Sequence, residues 1–212
     1  MKTYYLLSGT DKIEGFYNSV IPYLKKDIAN NYVITFITSS FDEYDKNDFY
    51  YNNMIKFFND IDIYFKDAYL IDSRKTKEEV VDYINKSNVV YIMGGNPEEE
   101  MKSIKQYNLI EPLKNFKGII IGVSAGSINM NENVCYVDEN DEILQYSGIG
   151  LTNYNIAPHL NFNNKAYLEE IFRVSKIKRT IALPNESFIR IEDGKEEIVG
   201  EHYYFDNGNI ES

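Results

Sequence analysis

The sequence predicts an α/β fold built on a mostly parallel sheet, and three features point there. Five short apolar segments recur between residues 3 and 123. Amphipathic segments with apolar residues at three- and four-residue spacing lie between them. The apolar segments are continuous rather than alternating, as in strands covered on both faces.

Taken in order, the strand segments are "TYYLLSG" (3–9), "YVITFIT" (32–38), "DAYLID" (67–72), "NVVYIMGG" (88–95) and "GIIIGV" (118–123). Each is rich in β-branched or aromatic residues and most end in Gly, Ser or Asp. The helix segments are "IEGFYNSVIPYLKK" (13–26), "YDKNDFYYNNMIKFFNDI" (44–61), "KTKEEVVDYINKS" (75–87) and "PEEEMKSIKQYN" (97–108). Thr76 followed by Glu79 forms a capping-box pattern at the third. Pro97 suits the first turn of the fourth, and the glutamates after it favour a helix N-terminus. This βαβα rhythm implies right-handed crossovers between parallel strands. After residue 130 the style changes. "NVCYVDENDEILQYSGIG" is polar and turn-rich, "TNYNIAPHL" reads as a strand and "NKAYLEEIFRVSKIK" as a helix. The tail from residue 179 reads as antiparallel strands, with Asp193-Gly194 and Asn207-Gly208 as hairpin turns. No repeat or linker separates the halves, so residues 1–212 are read as one domain.

With 212 residues and 43% hydrophobic side chains, the chain has enough apolar material for one sizeable core. A net charge of −11 argues against a nucleic-acid partner and against docking on anionic membranes. The single cysteine, Cys135, excludes an intramolecular disulfide. The apolar run at the N-terminus is too short for a signal peptide, and no segment reaches the roughly 20 apolar residues of a membrane span. A cytoplasmic location is the expectation.

Chemistry is concentrated in "KGIIIGVSAGSINM" (117–130), where a buried strand runs into Gly122-x-Ser124-x-Gly126. A serine hydroxyl becomes a nucleophile only when a base takes its proton. A sharp strand-to-helix turn lifts such a serine above the sheet, and small neighbours permit the strained backbone. A plain turn at a strand end is the competing reading. The sequence has two histidines. His159, in "IAPHLNF", follows a predicted strand and can reach a crevice at strand C-terminal ends. His202, in "GEHYYF", reads as an exposed strand residue. The acidic run "YVDENDE" offers Asp138, Glu139, Asp141 and Glu142 as groups to orient the histidine. In "MGGNPEEE", Gly94 and Gly95 let the backbone approach a substrate, as an oxyanion hole requires. The same segment lacks the Lys-Ser/Thr of a P-loop and the third glycine of a dinucleotide site.

Together, "MGGNPEEE", "GVSAGS" and "APHL", in that order, resemble the peptidase E family of serine peptidases, which includes aspartyl dipeptidases and cyanophycinases. "LPNESFIRI" (183–191) resembles that family's segment after the histidine. The resemblance runs from about residue 88 onward and implies a doubly wound α/β fold with helices on both faces, similar to class I glutamine amidotransferases. It implies Ser124 as nucleophile, His159 as base, and the Gly95 and Ala125 N–H groups as oxyanion donors. The family's acid falls in the window of Glu139, Asp141 and Glu142. Gly94, Asn96 and Lys165 are the candidates for substrate contact. Relatives that cleave Asp-X dipeptides carry a "GETR"-like segment after the histidine. This chain has "NFNNKAYLEE" there, with Lys165 the nearest cation, so weak or no selectivity for N-terminal Asp is expected. Ser127 departs from the "SAGA" of many relatives.

The resulting expectation is a serine peptidase acting on small peptides, with no metal or organic cofactor, and with a homodimer as one allowed assembly. The alternatives are a non-catalytic small-molecule binding domain of the same fold, or a deamidase or amidotransferase-like hydrolase. Relatives of the last kind carry cysteine at the elbow, where this chain has Ser124.

Overall fold

The computed structural model describes residues 2–11 and 13–211; Met1, Lys12 and Ser212 lie outside it. The five predicted strands become β1 (Thr3–Leu7), β2 (Val33–Ile37), β3 (Asp67–Ile71), β4 (Val89–Ile92) and β5 (Ile119–Val123). They run parallel, in the order β1-β5-β4-β2-β3. Every residue of β4 and β5 is buried, which explains their unbroken apolarity.

The strands still alternate between two cores, because successive side chains leave opposite faces. Tyr5, Leu7, Ile34, Phe36, Ile119 and Ile121 pack with helices α1 (Ile21–Asp27) and α2 (Tyr44–Asp60). Leu6, Ile37, Val90, Ile92 and Ile120 pack with α3 (Lys77–Lys86), α4 (Pro97–Gln106) and α5 (Ile110–Asn115). The sheet is thus covered by helices on both faces. At α3, Thr76 Oγ1 accepts the Glu79 N–H while the Glu79 carboxylate takes the Thr76 N–H, completing the predicted box.

Two helix boundaries differ from the sequence reading. The segment 13–26 is helical only from Ile21. Asp11 Oδ1 accepts the Ile13 and Glu14 N–H groups, both at 2.8 Å, and Gly15 adopts φ +85°, so a turn replaces the first half. Phe16 and Val20 are buried from that turn, which mimics helical spacing. The other difference is α5, which the apolar pattern did not reveal. Asn108, at φ +56°, breaks the chain between α4 and α5.

The second half departs further from the reading. After β5 come α6 (Ala125–Asn129), a hairpin of β6 (Asn133–Val137) and β7 (Ile143–Ser147), the two-residue β8 (Ile156–Ala157), α7 (Lys165–Ser175) and β9 (Thr180–Ala182). The tail forms β10 (Phe188–Glu192), β11 (Lys195–Val199), β12 (Tyr203–Asp206) and β13 (Asn209–Ile210). Both expected hairpin turns have positive φ at their two central residues, Asp193-Gly194 and Asn207-Gly208. The two hairpins go to different sheets. β10 adds antiparallel to β1, with β11 outside it, completing seven strands. β12 and β13 join β9 and β8 in a separate four-stranded sheet. No helix among the described residues is long and apolar enough to cross a membrane.

Candidate active site

Parallel strands deliver their C-terminal ends to one edge, and the candidate residues collect there. β5 ends at Val123, and the N–H of the following Ser124 continues the ladder to Leu7 O at 3.0 Å. The next step is not strand-like. Ser124 has φ 51° and ψ −109°, a conformation that costs a non-glycine residue on the order of 1–3 kcal/mol. The surrounding structure enforces the turn. A Cβ at Gly126 would lie 2.4 Å from Ile92 O, so α6 can pack this closely on β4 only through glycine. Ser127 is fully buried, and its Oγ lies 2.8 Å from Leu7 O and 2.7 Å from Gly122 O. It ties α6 to the ends of β1 and β5 rather than facing the crevice.

His159 reaches the serine from the other sheet. It follows β8 and sits in the left-handed region at φ 60°. Its N–H donates to Ser8 Oγ at 2.8 Å, and Ser8 Oγ donates in turn to Leu183 O at 2.8 Å. Ser8 is buried at the end of β1, so one hydroxyl fastens the small sheet to the large one. The ring lies against Gly9, where a Cβ would stand 3.0 Å from His159 Cε1. In this position His159 Nε2 is 2.8 Å from Ser124 Oγ. Its Nδ1 is 2.6 Å from Asn185 Oδ1. An amide oxygen only accepts, so Nδ1 carries the proton and Nε2 presents its lone pair to the serine hydroxyl.

Asn185 therefore occupies the place expected for an acid, and the expectation of Glu139, Asp141 or Glu142 there is corrected. "DENDE" is the exposed tip of the β6–β7 hairpin. Asp138 closes that tip by accepting the N–H groups of Asn140 at 3.0 Å and Glu142 at 2.8 Å, bonds that hold its carboxyl below the usual range. Asp141 pairs with Arg173 of α7. None of the three is a hydrogen-bond partner of His159 among the described residues. Asn185 lies in "LPNES", just after β9, and an uncharged residue between Pro184 and Glu186 carried no sign of this role. The contacts of Ser8 and Gly9, in "LLSG", were hidden in the same way.

Gly94 and Gly95 flank the serine on the β4 side. A Cβ at Gly94 would lie 3.3 Å from Ser124 Cβ, and one at Gly95 would lie 2.1 Å from Ser39 Oγ. Asn96 caps α4, its Oδ1 accepting from Glu98 N at 2.9 Å and Glu99 N at 3.2 Å. Lys165 is exposed, and its Nζ donates to Phe162 O at 3.0 Å. His202 is exposed, with Nδ1 3.3 Å from Gly200 O.

A cavity of about 230 Å³ opens beside Ser124, with Gly95 and Ala125 in its wall. Its remaining wall is mainly apolar and includes Ile128, Val137, Ile156, Ile171 and Val174. The N–H groups of Gly95 and Ala125 donate to no backbone carbonyl among the described residues. Below the site, Glu100 of α4 is fully buried; its Oε2 accepts from Asn129 Nδ2 of α6 at 2.8 Å, and its Oε1 has no partner among the described residues. Burial pushes the Glu100 carboxyl well above the ordinary carboxylate range, although the Asn129 bond opposes this.

Comparison with known proteins agrees with this geometry. The model of peptidase family S51 matches residues 5–199. No curated protein matches the chain. Among solved structures, a peptidase from an acI-B1 Actinobacterium is similar with a TM-score of 0.74 at 15% identity, covering 100% of this chain and 93% of that one. A protein assigned to peptidase E from Listeria monocytogenes EGD-e is similar with a TM-score of 0.70 at 18% identity, covering 93% of this chain and 98% of that one.

Proposed function

Since this chain belongs to peptidase family S51, we propose that it hydrolyses small peptides with Ser124 as nucleophile, His159 as general base and Asn185 as the residue that orients the base. The observation that carries this reading is the continuous relay from Ser124 Oγ through the imidazole to Asn185 Oδ1, with links of 2.8 and 2.6 Å. In the acylation step His159 Nε2 takes the hydroxyl proton as Oγ attacks the scissile carbonyl. The same nitrogen then returns that proton to the departing amine. The Gly95 and Ala125 N–H groups are the donors for the oxygen that becomes negative. Deacylation repeats the sequence with water in place of Oγ. Asn185 holds the Nδ1–H tautomer but brings no negative charge, so the imidazolium is stabilised less than it would be by a carboxylate. The limited cavity favours short peptides or chain termini over folded proteins.

The test pairs a fluorophosphonate probe with a dipeptide panel, applied to wild type and Ser124→Ala. Labelling and hydrolysis in the wild type, both absent in the variant, are expected. A folded wild type that neither reacts with the probe nor cleaves any peptide removes the hydrolase reading.

A further inference from the structure

The cavity beside Ser124 holds an unpaired charge that the reaction does not use. Tyr167, Glu170, Ile171 and Val174 stand at i, i+3, i+4 and i+7 of α7, so one face of that helix forms a cavity wall. Three of these are aromatic or aliphatic. Glu170 makes no ion pair or side-chain hydrogen bond among the described residues. The charged groups that act on it are Asp141 and Arg173, and they are occupied with each other through Arg173 Nη1 to Asp141 Oδ1 and Nη2 to Asp141 O. Partial burial and the Asp141 charge push the Glu170 carboxyl up, outweighing the Arg173 charge. An unpaired carboxylate in such a place gains from a cation that arrives with the ligand.

The neighbouring walls offer no Lys or Arg among the described residues to pair with a substrate carboxylate instead. A second crevice shares Gly95, Pro97, Tyr136 and Val137 with this cavity and adds Glu98, Asp138 and Glu139. Neither space is lined by Lys or Arg among the described residues. Lys165, the cation expected from the sequence to meet a substrate, faces Phe162 O instead.

Direction follows from the relay. The leaving amine must depart over His159 Nε2, which receives and returns the proton. His159 is not part of the cavity wall, whereas Gly95 and Ala125 are. The cavity therefore takes the residue that contributes the acyl group.

We propose that this cavity selects a substrate whose acyl-side residue carries a long cationic side chain, Lys or Arg, with the stem against Ile128, Val137, Ile156, Ile171 and Val174 and the head at Glu170. A lysine or arginine stem is apolar along its length and charged only at its tip, which matches a greasy channel with one carboxylate. Acidic acyl residues are disfavoured by the same arrangement. The selectivity rests on the hydrolase reading above, but its binding component does not require turnover.

The experiment compares Lys-Leu, norleucyl-Leu and Asp-Leu, the first two sharing a stem length and differing in charge. For wild type, kcat/KM for Lys-Leu should exceed that for norleucyl-Leu by about tenfold, the scale of one charge-assisted contact. Glu170→Gln should bring that ratio close to one, and Glu170→Asp should restore part of it. A wild-type ratio near one, a ratio unmoved by Glu170→Gln, or preference for Asp-Leu overturns the proposal. In parallel, calorimetry with Ser124→Ala measures Lys-Leu and norleucyl-Leu binding with and without Glu170→Gln. Tighter binding of Lys-Leu that disappears in the double variant supports the Glu170 contact even if no peptide is cleaved. Equal affinities sink it even if Ser124 proves to be the nucleophile.

Discussion

Ser124 and His159 meet across a seam between two sheets, and the two sides are built on different physical terms. The serine side is local and rigid. Strand, turn and helix follow one another within residues 119–129, nearly all of them buried, and the strained backbone is held by close packing. The histidine side is assembled from distant pieces. His159 hangs from a two-residue strand, Asn185 comes from another loop, and Ser8, just after the first strand, bonds His159 N and Leu183 O; His159 and Asn185 are both exposed. A nucleophile needs one enforced conformation, whereas its base needs only correct direction and tautomer, so packing suffices for the first and hydrogen bonds for the second.

The largest effects should come from removing either partner at the seam. Ser124→Ala and His159→Ala should each lower kcat by roughly three orders of magnitude or more, as units of one relay do. His202→Ala should leave kcat within about twofold, since surface substitutions change little. Steady-state rates on any cleaved dipeptide decide this, and inactivation by His202→Ala alone would reverse the assignment of the base.

Next, Asn185→Ala should reduce kcat by about 10- to 100-fold, no more than the lower end of what a positioned acid–base group contributes, because Asn185 orients the base and transfers no proton; no comparable loss of stability should accompany it. Asn185→Asp provides the sharper reading. A carboxylate beside Nδ1–H favours the imidazolium, so the acidic limb of the pH–rate profile should move to higher pH. An unmoved limb would mean that Asn185 does not govern the base.

Gly126→Ala tests the serine side in the opposite currency. Its methyl must displace Ile92 O or move α6, at about 1–3 kcal/mol of overpacking. Urea unfolding should register that loss directly, and unchanged stability would mean that the elbow is softer than its geometry implies.

The smallest effect concerns Glu100. Its carboxyl is raised in the fold, so between the ordinary carboxylate pKa and the raised value the unfolded chain binds fewer protons than the folded one. Stability then falls as pH rises through that window. Glu100→Gln should flatten the slope above about pH 4.5, measured as unfolding midpoint against pH. Parallel slopes in wild type and variant would place the pH dependence elsewhere.

This contrast also governs what the sequence reveals. The elbow was legible because every part of it lies within one short segment: a buried strand, two glycines and the serine. The parallel sheet was legible for the same reason, through continuous apolarity in segments such as "GIIIGV". Asn185 was not, because contact with His159 depends on how β8 and β9 pair, and an asparagine in a loop has many ordinary uses. The acidic run misled for a related reason. Carboxylates close in sequence to the nucleophile look available, yet Asp138 is consumed by its own hairpin turn and Asp141 by Arg173. Sequence proximity to a nucleophile says little when the carboxylates sit at a hairpin tip whose own turn and neighbouring helix take them up.

That hairpin has one more consequence. β6 supplies Cys135, Tyr136 and Val137 to the cavity wall, while Ser124, His159 and Asn185 all lie outside the β6–β7 hairpin. The chain leaves the large sheet at α6, makes this excursion, and enters the four-stranded sheet at β8 before the histidine is placed. Part of the cavity wall is thereby carried on a length of chain separate from the relay. Lengthening the tip, changing its charges or altering its lean on α7 would reshape what enters the cavity and leave the relay in place. For a lineage of such proteins, the excursion is the cheap place to evolve a new diet.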